Sequence, residues 1–221
     1  MHLRFTFPYF VLRTRLACAL ACTAFVGLPS SFFGQAGPWS IESTNEGIVE
    51  VQSRIWEDQD INGDDYQIIE YRVTTFTDVS VEKLKALLYA GDRHKEFMPD
   101  TEVSDVIQRY SPKEWLMYYY FDSPWPLPNS DCVTRMTLTE EQGWARFDGI
   151  AAADLHPRTE DRRMDKFEIS YQFSVDGDRT KLVVHSTMTP VVHAPDWLVS
   201  IWFPDGPAEL VLDLIERAKV N

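Results

Sequence analysis

The sequence predicts an α+β domain in which a curved antiparallel sheet closes on one long C-terminal helix. Three features carry this. Strand-like segments follow one another for about ninety residues, from 102 to 189. One of them alternates without a break, with Phe167, Ile169, Tyr171, Phe173 and Val175 set against Glu168, Ser170, Gln172 and Ser174. A sheet wet on one face and buried on the other requires that pattern. The chain then ends with Leu210, Val211, Leu214, Ile215 and Ala218 at helical spacing.

The elements follow in order. Gly47–Ile55 and Tyr66–Phe76 are rich in β-branched and aromatic residues. With the Ile61-Asn62-Gly63-Asp64 turn signal between them they read as a hairpin. Ser80 is placed to cap a helix through Val81, Leu84, Leu87 and Leu88, with Gly91 as its stop signal. A short helical piece, Asp92–Phe97, is closed by Pro99. Strands are expected at Glu102–Tyr110, Trp115–Phe121, Asp131–Thr139, Trp144–Ala151, Asp165–Val175 and Lys181–Thr189. Asp176-Gly177-Asp178 joins the last two as a hairpin turn. The terminal helix, from about Pro195 to Val220, must kink or break at Pro204 and Asp205-Gly206-Pro207.

The 221 residues are 44% hydrophobic and 13% aromatic, which suffices for a packed core and excludes disorder for most of the chain. A formal charge of −13 leaves no excess of basic residues to neutralise phosphates, so nucleic acid is not an expected partner. Arg4, Arg13 and Arg15 precede an apolar run from Leu16 to Leu28, and Gly34-Gln35-Ala36 supplies a small-residue cleavage site. This is the layout of a cleavable export signal over residues 1–36, which gives a periplasmic or secreted location. Cleavage there removes three Arg and no acid, moving the net charge from −13 to −16. Such a chain is repelled by anionic lipid surfaces and is expected to work as a soluble monomer. Cys132 is then the one cysteine left and reads as a small buried hydrophobe.

Few motifs carry chemistry. Asp58-Gln59-Asp60-Ile61-Asn62-Gly63 matches the first half of an EF-hand loop, but the twelfth position is Ile69 and strands flank it, so it reads as a solvated turn. His94, His156, His185 and His193 form no zinc spacing, and no nucleotide or nucleophile-elbow motif occurs; no metal or cofactor is expected. Aromatic residues stand out instead: Trp115, Tyr118, Tyr119, Tyr120 and Phe121 in one strand, then Trp125, and Trp197, Trp202 and Phe203 near the end. Bulk on both faces of one strand points either to an apolar ligand cavity or to an ordinary aromatic-rich core.

At Pro124-Trp125-Pro126 followed by Asp131 and Val133 the sequence resembles the P-W-P-x-x-x-R-D-x-V signature of START domains, the lipid-transfer branch of the helix-grip superfamily. Trp39, the Glu96-Phe97-Met98-Pro99 run and Asp205-Gly206-Pro207 agree in order, and the likeness spans residues 39–220. Ser130 departs from it, standing where the signature has Arg. The resemblance implies a START-like domain over residues 37–221: a U-shaped sheet gripping a long helix that roofs a tunnel for one lipid. It also implies a buried acid and arginine in that tunnel, at Glu96 and Arg135. Strand parity opposes the second, because Cys132, Met136 and Leu138 form the more apolar face and Arg135 lies on the other. The candidate ligand-binding residues are therefore Glu96, Arg135, Tyr119, Trp197, Ile201 and Trp202. The expected function is an exported lipid-binding or lipid-transfer protein, with transient membrane contact. The alternatives are a helix-grip enzyme of cyclase or hydrolase type, which needs a group such as Glu96, Arg135, His185 or Tyr119 facing the tunnel, and an interaction module with a filled core.

Overall fold

The computed structural model describes residues 36–44, 47–159 and 162–220. Apart from Ala36, the expected export signal lies outside the described residues. The chain runs β1 (Ser40–Thr44), β2 (Val49–Gln59), β3 (Asp65–Thr77), α1 (Val81–Tyr89), a 3-10 turn at Gly91–Glu96, β4 (Thr101–Ser111), β5 (Glu114–Phe121), β6 (Ser130–Glu141) and β7 (Trp144–Ala151). A 3-10 turn at Ala153–Leu155 precedes β8 (Arg162–Arg163), β9 (Phe167–Asp176), β10 (Arg179–Met188), α2 (Asp196–Trp202) and α3 (Asp205–Lys219). The strands form one sheet in the order β1-β2-β3-β10-β9-β7-β6-β5-β4. Its pairs are antiparallel, except that the short β8 runs parallel to β6.

The β2–β3 hairpin turns where the sequence placed it. The Asp60 carboxylate accepts from the Asn62 and Asp64 backbone N–H groups at 2.8 and 3.0 Å, and Gly63 takes the φ of +85° that such a turn favours. The EF-hand-like residues thus serve a turn. Ser80 caps α1 by accepting from the Lys83 N–H, and Val81, Leu84, Leu87 and Leu88 are buried as the helical spacing demands. On β9 the residues Phe167, Ile169, Tyr171 and Phe173 point into the core; Val175, at the tip of the hairpin, is exposed. The edge strand β4 carries three register irregularities against β5, which suits an edge that must not pair further.

The terminal helix is two helices. Pro204 ends α2, and α3 lays Leu210, Val211, Leu214, Ile215 and Ala218 into the core gathered by β2, β3, β9 and α1. This is an α+β domain with a large antiparallel sheet wrapped on a C-terminal helix. Among the described residues, no helix is long and apolar enough to cross a membrane.

The bulk on both faces of β5 has an explanation other than a cavity. Trp115, Met117 and Tyr119 face the core, while Leu116, equally buried, faces outward opposite Arg135 of β6, as Tyr118 does opposite Val133. Residues 152–159 and 162–164 cover that outer face, with His156 against the Tyr118 ring. It is held by a buried ion pair. Asp131 and Arg163 meet in two hydrogen bonds of 2.8 and 2.7 Å, with both side chains at 0% exposure. Arg163 also donates to the carbonyls of Ala153, His156 and Pro157, and the Thr159 hydroxyl donates to Asp131. Every strong donor and acceptor of the pair is thereby used, which is the condition under which a buried charge pair is tolerated.

Candidate functional site

An apolar cavity of about 220 Å³ lies between the helices and one end of the sheet. Its floor comes from Ile69 and Tyr71 of β3, Phe167 and Ile169 of β9 and Met188 of β10. Its roof comes from Leu198, Val199 and Trp202 of α2 and Gly206 and Leu210 of α3. Met98, Pro99, Asp100 and Phe121 close one side, and two irregular segments, within 123–130 and 190–194, complete the wall. Gly206 is dictated by the roof: the Trp202 indole rests directly on its Cα, in the space that a Cβ would need. Trp202 also meets the Tyr71 ring edge-on at 5.6 Å, so the roof and the floor touch through aromatic faces.

Of the six candidate residues, Trp202 alone lines this cavity. Trp197 and Ile201 are on the same short helix but point outward, 51% and 68% exposed, because α2 turns Leu198, Val199 and Trp202 inward. Tyr119 is buried in the core away from the lining, and its hydroxyl is engaged by His94 at 2.7 Å.

The Glu96 and Arg135 pairing is corrected by the structure. Glu96 ends the Gly91–Glu96 turn at the surface, where Arg93, three residues earlier, binds both its carboxylate oxygens at 2.8 Å. That contact holds the Glu96 carboxyl below its usual range. Arg135 points away from the cavity, ion-paired to Glu114 at 2.7 Å and lying over the Tyr110 ring. The reason is the parity noted above: Cys132, Thr134, Met136 and Leu138 are the inward set of β6. Among the described residues a fully buried acid–arginine pair is formed by Asp131 and Arg163, on the outer side of the sheet. His185 also faces outward, against Glu70 at 2.7 Å. Among the described residues no group of His, Cys, Asp and Glu is arranged to hold a metal ion.

His94 was not singled out by its sequence context, yet it organises the core beside the cavity. It is 0% exposed, with Nε2 at 2.8 Å from the Leu88 carbonyl and Nδ1 at 2.7 Å from the Tyr119 hydroxyl. A carbonyl can only accept, so Nε2 carries the proton and Tyr119 donates to Nδ1. Burial pushes the His94 pKa down from 6.5 to about 4. The depressed value means that the unfolded chain binds the proton first. The neutral His94 therefore contributes its full stability above pH 6.5, and this is lost as pH falls toward 4. The loss amounts to about 3 kcal/mol at most, by the linkage relation. Denaturant unfolding between pH 7 and 4.5 is expected to show this slope, and His94→Gln is expected to flatten it.

Neither a protein-family model nor a curated protein matches the sequence. Solved structures do match the fold. The large antiparallel sheet closed on a C-terminal helix is a helix-grip fold. Within that class the fold is START-like. A STAR-related lipid transfer protein from Xanthomonas axonopodis superposes with a TM-score of 0.65, covering 83% of this chain and 99% of that one at 18% identity. Human StAR-related lipid transfer protein 5 gives 0.63 over 82% and 86% at 15% identity. Human STARD10 gives 0.58 over 80% and 73% at 17% identity.

Proposed function

We propose that the protein is an exported carrier that encloses one hydrophobic ligand, a lipid or lipid-like molecule, in the cavity beneath α2 and α3. The observation that carries this reading is the apolar lining: side chains from both helices and from β3, β9 and β10 converge on one space instead of filling it. The lipid-transfer proteins that share the fold support it. Burying an alkyl chain gains about 0.8 kcal/mol per CH₂, which offsets an opening step of a few kcal/mol.

The cavity of about 220 Å³ is below the roughly 300–1,000 Å³ of a site that encloses a drug-sized molecule. Loading a lipid therefore requires the roof to move. The movable part is α2, only seven residues long and flanked by Pro195 and Pro204. Trp197 and Ile201 on its outer face, with Trp125 at 85% exposure in the β5–β6 loop, are exposed apolar side chains on the roof helix and a wall segment. Aromatic side chains of this kind suit a water–membrane interface, and transient membrane contact during loading is part of the reading.

Ile69 on the floor and Val199 on α2 belong to one small apolar cluster. A disulfide formed in the double variant I69C/V199C is expected to slow transfer of a fluorescent lipid between vesicles by about tenfold or more, with recovery on reduction. Cys132 does not compete, because it is buried and its thiol is pushed up to about 12 by desolvation. Transfer at an unchanged rate in the oxidised protein contradicts a gate at α2.

A further inference from the structure

Among the described residues that line the cavity, Asp100 alone is charged, and none is Lys, Arg or His. Asp100 is exposed at the edge of the cavity, between Pro99 and the start of β4. It is also the one non-glycine residue with a positive φ among the described residues, at +54°. Asp tolerates that conformation better than most residues, and its presence there fixes where the carboxylate is offered. Among the described residues no hydrogen bond or ion pair engages that carboxylate. The charge that acts on it is another acid: Asp122 donates its backbone N–H to the Asp100 carbonyl at 2.9 Å, which brings a second negative side chain to the same edge. The remaining polar lining side chains are Ser123, Ser130 and Tyr71, whose hydroxyls donate or accept, and Trp202, whose uncharged indole N–H donates.

Building on the carrier reading above, we propose that the ligand's polar end is a hydrogen-bond donor without negative charge, an ammonium or a hydroxyl, received by the Asp100 carboxylate at the mouth of the cavity. An ionised carboxylate only accepts, so it binds such a donor with a charge-assisted hydrogen bond. A ligand ending in a carboxylate or phosphate meets two like charges and no cation in the lining, and is rejected on that ground. The electrostatics of the edge agree, since desolvation and the neighbouring Asp122 both raise the Asp100 pKa, as expected for a carboxylate lacking a cation.

The test uses three pyrene-labelled alkyl chains of one length, ending in an ammonium, a hydroxyl or a carboxylate, titrated against the purified protein. The ammonium and hydroxyl probes are expected to bind at least about tenfold more tightly than the carboxylate probe. In Asp100→Asn the gap between ammonium and carboxylate probes is expected to shrink to about threefold or less. Asp178→Asn makes the same change in net charge in the exposed β9–β10 turn, at the far ends of these strands from the cavity, and is expected to leave the gap intact. Equal binding of the carboxylate probe by the unmodified protein, or a gap that survives Asp100→Asn, overturns the assignment of the polar end while leaving the carrier reading in place. Binding of none of the three probes overturns the carrier reading itself, and this assignment with it.

Discussion

Replacing Asp131 by Ala is expected to lower the stability of the domain by about 3–5 kcal/mol. The change leaves the Arg163 guanidinium at 0% exposure with three backbone carbonyls and no counter-charge. Breaking a buried pair costs this much because the surviving charge is desolvated without compensation. Arg163→Met should cost a comparable amount from the other side, by stranding the Asp131 carboxylate. Replacing both together, D131L/R163M, should recover much of the loss, because an apolar pair of similar bulk removes the charge as well as the partner. The exposed pair between Arg135 and Glu114 provides the contrast: Glu114→Ala should cost less than about 1 kcal/mol. Denaturant unfolding measures all four, and a loss of under about 1 kcal/mol for Asp131→Ala contradicts the role assigned to the pair. The consequence reaches the cavity, because the segment that Arg163 pins ends in Met164, one of the lining residues.

Val199→Trp is expected to abolish ligand retention while leaving the protein folded. Val199 is buried on the cavity side of α2, and an indole at that position occupies the space that a ligand needs. Overpacking a core costs roughly 1–3 kcal/mol, less than most domains have in hand. Ile201→Trp, two residues on but 68% exposed, adds the same ring to the outer face and should leave retention unchanged. The pair of variants separates a filled cavity from a merely altered helix.

Much of this architecture was legible in the chain. The alternation of β9, the cap at Ser80, the Asn62-Gly63 turn and the break at Pro204 each follow from a local rule, and the structure obeys them. Residues whose partners are distant in sequence were not legible. The two-residue strand β8 has no periodicity to read, and Arg163 meets Asp131 across thirty-two positions. β1 is five mostly exposed residues, so burial left no pattern in it. The site was read less well than the fold. In α2 the residues Trp197, Leu198, Val199, Ile201 and Trp202 are apolar nearly all round, so spacing does not say which of them face inward. The answer, Leu198, Val199 and Trp202, is imposed by packing on Tyr71 and α3. Part of the wall comes from residues 190–194, which have no regular structure and no sequence signal. Arg135 teaches the reverse lesson: strand parity placed it outward, and parity holds where the family analogy does not.

The central claim is that one hydrophobic molecule occupies the cavity, and native mass spectrometry of the protein after incubation with lipid vesicles tests it most directly. A single added mass is expected, one ligand per chain, released by organic solvent and absent from Val199→Trp. A bare protein mass after that incubation, in the unmodified chain as in the variant, contradicts it.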